Sequence, residues 1–388
     1  LIDLFTVKDG RPVIYQAKSD TVNGVVTGYT VVPGPREMCQ LRSPQFSAYA
    51  DFDGDGLADL LVVCEDGSVE IGRQMDSGFV KGKSAATKAT GPLTVADVNG
   101  DGALDIVYYD TTANTINIHH NQQTKYCTTR GESDDNKCKA TNLLFQHDPK
   151  YGFSDVPSVT INMGDVFGKE EGWFGKERKA KLVIRDSLKT AVSLHVGDFD
   201  MDGYPDLLVV YSNPDMTEFS PALLKNNHLN NTFTVQTRGM ADLKAIKNAE
   251  TVAFLPFTPN TRLPDIVVQT SDQEVFAFQN AFFRDSFFLQ VQVMGSVCPK
   301  GQHRCREQGA ATEKPFGSGQ PGATFKYNYA DMTGTSHTQQ GSQQAQSAYQ
   351  ALPLPFMVFG LGRVSNFIEE AQAALTNRNS PTSGRLAH

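Results

Sequence analysis

The stretch His195-Val196-Gly197-Asp198-Phe199-Asp200-Met201-Asp202-Gly203-Tyr204-Pro205-Asp206-Leu207-Leu208-Val209-Val210-Tyr211 limits what this chain can become more than any other. Acidic side chains stand at positions 1, 3, 5 and 9 of a short loop, glycine stands at position 6, and a β-forming apolar run follows at once. A hard cation such as Ca²⁺ gathers roughly 6–8 oxygens at about 2.3–2.6 Å, and alternate residues of a curled loop can face one centre. Asp198, Asp200 and Asp202 would supply carboxylates, Tyr204 its carbonyl and Asp206 a closing carboxylate, with Gly203 permitting the sharp turn. An EF-hand shares this first half but needs a bidentate Glu at position 12 and a helix after it. Position 12 here is Val209, inside the strand-like run, so the EF-hand is excluded.

The pattern recurs. Asp51, Asp53, Asp55 and Asp59 fill every acidic position of a second loop, with the Leu57 carbonyl at position 7, before the strand Leu60–Val63. A third loop has Asp97, Asn99, Asp101, the Ala103 carbonyl and Asp105, and its neutral Asn99 should weaken affinity without abolishing it. Leu1 to Val7 reads as the end of such a loop and its strand. The stretch from Thr251 to Val268 repeats the frame with only Asp265 kept, which implies a metal-free unit. The equivalent residues are then Asp3, Asp59, Asp105, Asp206 and Asp265, at separations of 56, 46, 101 and 59 residues. A unit near 50 residues, made of a loop, an apolar strand and hairpin strands, is the mark of a β-propeller, whose blades bury their faces against one another.

The fold class expected is therefore all-β, with five visible propeller repeats over residues 1–285 and an insert at 122–181. Within the insert, Lys169–Lys181 reads as a solvated excursion and Trp173 as an anchor pinning the long loop to its own domain. Asp242–Ala249 reads as a short helix. From Phe287 the character changes, and residues 286–370 suggest a small β-sandwich module. Glu369–Thr376 reads as helical and 371–388 as a tail.

A net charge of −8 and a pI near 5.5 leave no basic face for nucleic acid. The three good loops hold eleven aspartates, so a divalent ion in each would nearly cancel the excess. Six cysteines include two close pairs, Cys127 with Cys138 and Cys298 with Cys305, which suggests disulfides and an oxidising compartment. Whether Cys39 pairs with Cys64 is left open. Zinc would need CxxC spacing with histidines nearby, and these are lacking. A sequon at Asn230 agrees with a secretory route. No apolar stretch reaches the 18 residues of a membrane span, and Leu1-Ile2-Asp3 does not begin a signal peptide.

The loops and the C-terminal stretch together resemble the FG-GAP, integrin-α-like repeats and, more closely, the T-cell immunomodulatory protein family. The residues that carry the likeness are Gly197-Asp198 through Asp206, Asp242-Leu243 with Ile246-Lys247, Phe316-Gly317 with Gln320-Pro321-Gly322, and Phe359-Gly360-Leu361-Gly362-Arg363 with Asn366-Phe367. The resemblance implies a seven-bladed ring on a single-pass surface protein of the secretory pathway. It places two repeats and the first loop of a third before Leu1, and a membrane anchor after His388. This chain departs from the pattern in its insert, in the ligand-poor repeat, and after Glu370, where a final strand would be expected.

Three functional readings follow. In the first, about three structural Ca²⁺ ions rigidify a non-enzymatic interaction protein with a protein partner, at the cell surface or in a secretory lumen, in an adhesive or cell-modulatory role. In the second, the chain is a subunit of a large membrane-associated assembly. The third, a propeller-scaffold glycan lyase or hydrolase, finds no support. His119 and His120 are adjacent and would face opposite sides of a strand, His195 reads as a packed strand residue, and no nucleophile elbow or phosphate loop is present.

Overall fold

Each apolar run after an aspartate loop is the second strand of a sheet in the structure, a computed structural model that describes residues 4–19, 26–33, 37–75, 78–129, 137–172, 179–183, 194–258, 263–282, 286–296, 317–345, 353–374 and 384–385. The first sheet is β1 (Leu4–Lys8), β2 (Arg11–Ser19) and β3 (Val26–Pro33). The second runs β4 (Ala48–Ala50), β5 (Asp59–Val63), β6 (Val69–Met75) and β7 (Gly78–Ala85). The third runs β8 (Leu93–Ala96), β9 (Asp105–Asp110), β10 (Thr115–His119) and β11 (Val159–Asn162), and the helix α1 (Met163–Glu171) follows it. The fourth holds β12 (Lys181–Leu182), β13 (Leu194–Gly197), β14 (Asp206–Ser212), β15 (Phe219–Asn227) and β16 (Thr232–Val235). After the helix α2 (Ala241–Ala245), the fifth holds β17 (Ala249–Phe254), β18 (Ile266–Thr270) and β19 (Val275–Phe278).

Successive sheets stack face to face as propeller-like blades, because strand side chains alternate between two faces and both are apolar. On β14, Leu207, Val209 and Tyr211 enter the core shared with the third sheet, while Leu208 and Val210 enter the core shared with the fifth. On β5, Leu61 and Val63 face the third sheet, while Leu60 and Val62 on the other side pack with Met38 and Leu41 from the segment before β4. Each such side chain contributes roughly 1.5–3 kcal/mol by leaving water.

The C-terminal module comprises β20 (Phe287–Val291), β21 (Met294–Ser296), β22 (Gly317–Gly319), β23 (Thr324–Asp331), β24 (Ser336–Ser342), β25 (Met357–Gly362), β26 (Val364–Ala374) and β27 (Gly384–Arg385). The order β24-β23-β26-β27 makes one sheet, and the β20-β25 pair covers it. Phe325, Tyr327, Tyr329, Met357, Phe359 and Leu361 fill the sandwich between them.

Three local expectations are corrected. Residues 369–374 are strand, not helix: β26 pairs with β23 from Thr324↔Ala374 to Asp331↔Val364, so ladder bonds outweigh the helix propensity of the Glu/Ala/Gln run. For the same reason the module continues past residue 370, and the strand missed in the sequence is present. The 169–181 stretch is also not a solvated excursion at its two ends, while residues 173–178 lie outside the described residues. Residues up to Glu171 belong to α1, whose Phe167 ring stacks on Tyr211 at 3.9 Å, and Lys181 opens β12. The helix placed at Asp242–Ala249 stops at Ala245, and Ala249 already pairs in β17. Trp173 lies outside the described residues.

Candidate metal centres

Each loop is curled by its own first carboxylate. Asp51 accepts from the Gly54 and Gly56 N–H groups, Asp97 from Asp101 and Gly102, and Asp198 from Asp202 and Gly203, at 2.7–3.1 Å. The residue at position 6 (Gly56, Gly102 or Gly203) has φ of 82–95°, which glycine adopts without strain. At position 4 the Asp198 loop carries Met201 with φ 56°, where the other two have glycine.

The position-9 carboxylate ties the loop from behind. Asp59, Asp105 and Asp206 accept from the N–H groups of Phe52, Val98 and Phe199 with one oxygen, and from Gln74, Asn121 and Asn226 with the other. Asp265 does the same in the ligand-poor repeat, accepting from Phe257, Thr258 and Asn280.

Within that frame the acidic side chains converge to different degrees. Asp51, Asp53 and Asp59 each bring a carboxylate oxygen within 4.8 Å of the other two, and so do Asp198, Asp200 and Asp206; all six are buried. Among the described residues, Asp97, Asp101 and Asp105 do not form such a group. Asn99 occupies position 3 there and donates to Asp101 at 2.8 Å. Asp55 and Asp202 sit at the partly buried rims of their loops.

Burial foremost, reinforced by neighbouring aspartates, holds Asp198 up at about 8 and Asp51 at about 7, and pushes Asp59, Asp97, Asp105 and Asp206 well above or above the ordinary carboxylate range. Such a cluster must hold protons or a cation, because bare carboxylates repel one another in a poorly solvated place. An all-oxygen set of three carboxylates with a loop carbonyl suits a hard divalent ion. The residues present therefore fit calcium in the Asp51 and Asp198 loops, and a less acidic version of the same site in the Asp97 loop. The Leu57, Ala103 and Tyr204 N–H groups donate to Asp55, Asp101 and Asp202, which sets the position-7 backbone in a common geometry.

Two sets of residues escaped the sequence reading. Arg73 pairs with Asp53 and lies 3.6 Å from Asp55, while Lys225 pairs with Asp200 and lies 3.6 Å from Asp202. They occupy equivalent places, one residue before Gln74 and Asn226. The second set is an amide clamp. Asn121 Nδ2 donates to the carbonyls of Phe52 and Leu104, Asn226 to Val98 and Pro205, and Asn280 to Phe199 and Pro264. Each asparagine thus joins its own loop to position 2 of the preceding one. Aligning the repeats at position 9 and looking for an amide near the end of the next strand would have found them.

Cys39 pairs with Cys64 and Cys127 with Cys138, whereas Cys298 and Cys305 lie outside the described residues. These disulfides mark an extracellular or lumenal setting. Asn230 is exposed at the end of a single 3₁₀ turn. His119 is buried between the Tyr108 hydroxyl and the Ser154 carbonyl, and the half-buried His195 lies against the Phe254 ring at 5.6 Å and accepts the Phe254 N–H, with its pKa pushed down to about 4 by desolvation. Among the described residues no helix is long and apolar enough to cross a membrane.

Comparison with known proteins agrees with the architecture. Residues 51–108 match the family model of the FG-GAP-like repeat, and residues 315–386 match that described as "ITFG1, C2 domain". The human T-cell immunomodulatory protein is 27% identical over 351 residues, covering 85% of this chain and 51% of that protein. Its homolog in Plasmodium yoelii yoelii is 28% identical over 375 residues, covering 86% of this chain and 51% of its own length. The Macaca fascicularis protein is 34% identical over 190 residues, covering 46% of this chain and 58% of that protein. The chain spans about half the length of the curated relatives it matches. With propeller-like blades, FG-GAP-type loops and a C2-matching module in one polypeptide, the chain is similar over most of its length to the T-cell immunomodulatory proteins.

Proposed function

We propose that this chain is a non-enzymatic, calcium-stabilised interaction protein that works outside the cell or in a secretory lumen in an adhesive or cell-modulatory role, the relatives' name, T-cell immunomodulatory protein, supporting the cell-modulatory part. The observation that carries the reading is the pair of buried three-carboxylate clusters, Asp51/Asp53/Asp59 and Asp198/Asp200/Asp206, in loops with one hydrogen-bond frame. Calcium that binds only the folded state stabilises it by RT ln(1 + [L]/Kd), which is useful even for a weak site at millimolar extracellular calcium. The ions are structural, and contact with a protein partner falls to the outer surface. Exposed Val275, Phe276, Phe282, Phe287 and Phe288, clustered in sequence around β19 and β20, supply apolar area for it. A complete seven-bladed ring, a membrane anchor outside this segment and a glycan at Asn230 belong to the same proposal.

A thermal melt tests the metal claim: calcium should raise the melting temperature over that in EDTA, and an unchanged melt would remove it. Affinity capture from detergent-solubilised membranes separates a surface adhesin from an assembly subunit. The first should be recovered from the surface-labelled pool and the second with a stoichiometric membrane partner.

A further inference from the structure

The C-terminal module sits directly on the three aspartate loops. The Gln340 N–H donates to Asp97 Oδ2 at 3.0 Å, the Gly360 N–H to Asp198 Oδ2 at 3.1 Å, and Gln340 Nε2 to the Asp51 carbonyl at 2.8 Å. Gln339 Nε2 donates to the Gly203 carbonyl at 2.6 Å, and the Gly362 N–H to that of Met201 at 2.9 Å. Two of these bonds end on the carboxylate that curls the loop. The fit at Gly360 is tight, since a methyl group there would collide with Asp198 Oδ2 and the Met201 backbone.

Between the Asp51 and Asp97 loops the module inserts Lys326. The odd positions of β23 fill the sandwich, while its even positions, Thr324, Lys326 and Asn328, take the opposite face. Lys326 is fully buried, and its Nζ has no hydrogen-bond partner among the described residues. The Phe145 and Tyr126 rings lie 5.5 and 5.8 Å from it, and the charges of Asp51, Asp97, Asp101 and Asp53 act on it. Thr324 Oγ1, Gln340 Oε1 and Ser342 Oγ are also unbonded and buried, in cross-strand pairs around it. A buried ammonium without hydrogen bonds is costly unless opposite charge surrounds it, and here two loops from different blades provide that charge.

We infer that cation binding to the loops and docking of the C-terminal module are one coupled equilibrium, with Lys326 as the built-in positive charge that holds the Asp51 and Asp97 loops to the module when calcium is scarce. The inference rests on the calcium reading above. Docking fixes Asp97 and Asp198 as outer-shell hydrogen bonds fix metal ligands, so it favours calcium. Lys326 works in the other direction, since a like charge beside a dication opposes its entry. By linkage, calcium must tighten the module in proportion to what docking does for calcium.

The test is calorimetric titration of calcium chloride into the EDTA-stripped full chain, for wild type, Gly360→Ala and Lys326→Met. Hydrogen exchange of residues 336–342 and 357–362 is followed in calcium and in EDTA. Gly360→Ala should weaken at least one calcium site about tenfold, the scale of losing an outer-shell partner. Lys326→Met should tighten binding by about fivefold or more and enlarge the calcium-dependent protection of the module. Wild-type module peptides should exchange more slowly in calcium, a readout that decides the matter even if a variant fails to fold. Calcium binding with identical module exchange in both conditions would overturn the coupling and leave the calcium reading standing. A Lys326→Met protein equally destabilised in both conditions, with unchanged affinity, would also overturn it. No calcium heat from wild type would overturn both.

Discussion

Asp265 separates two jobs that the other loops combine. It is fully buried and accepts three backbone N–H groups, yet the acidic partners at positions 1, 3 and 5 are gone from its repeat. The position-9 carboxylate therefore ties a loop whether or not a cation is bound. Asp265→Ala should cost about 3 kcal/mol, the scale of stranding buried donors, and urea unfolding should show the same loss in calcium and in EDTA. The position-1 aspartates make the opposite case. Burial raises Asp198 to about 8 and Asp51 to about 7, against 3.8 for a free carboxyl, so without calcium the folded chain binds more protons than the unfolded one between these values. Their contribution is full below about pH 4 and drains as pH rises toward 8, while calcium, which needs the ionised form, binds better over the same span. Melts in EDTA should fall from pH 5 to pH 8 and the calcium-induced increment should grow; a calcium increment that shrinks with pH would contradict this. The aspartates were legible because a hard cation dictates both residue type and spacing. Asn121, Asn226 and Asn280 were not, because they stand 16, 20 and 15 residues after their position-9 partners, and hairpin length varies between blades.

At the scale of elements, the central strands were the most legible part of the chain. A run such as Asp206–Ser212 is buried throughout and serves a different core on each face, so it shows no alternation and announces a strand between two sheets. β26 was not legible, since Glu-Glu-Ala-Gln-Ala-Ala favours helix locally and becomes strand only through pairing with β23. The 122–181 insert hid both β11, which completes the third sheet, and a wall around the Asp51 loop. In that wall His147 Nδ1 lies 3.0 Å from Asp53, and the Asp148 N–H donates to the Asp53 carbonyl. Blade-to-blade cohesion depends on the amide clamps as well as on apolar packing. Asn226→Ala strands the Val98 and Pro205 carbonyls, one in each neighbouring loop, and should cost about 2–3 kcal/mol in equilibrium unfolding. Asn226→Asp keeps an acceptor but not the donor and should not restore that stability.

The whole molecule is five propeller-like sheets with a β-sandwich set across their loops. The repeat made the sheets readable from the sequence, but contacts between residues 243 and 162 positions apart, Gln340 with Asp97 and Gly360 with Asp198, leave no periodic trace. What unites the levels is the claim that the acidic loops are calcium sites. Native mass spectrometry of the intact chain, exchanged into volatile buffer with calcium and then with magnesium, tests it most directly. Two tightly held calcium ions are expected, with a weaker third at the Asn99-containing loop, and Asp198→Asn with Asp200→Asn should remove one of the tight pair. A spectrum with no calcium retained above that of a denatured control, or one unaltered by those substitutions, would contradict the account.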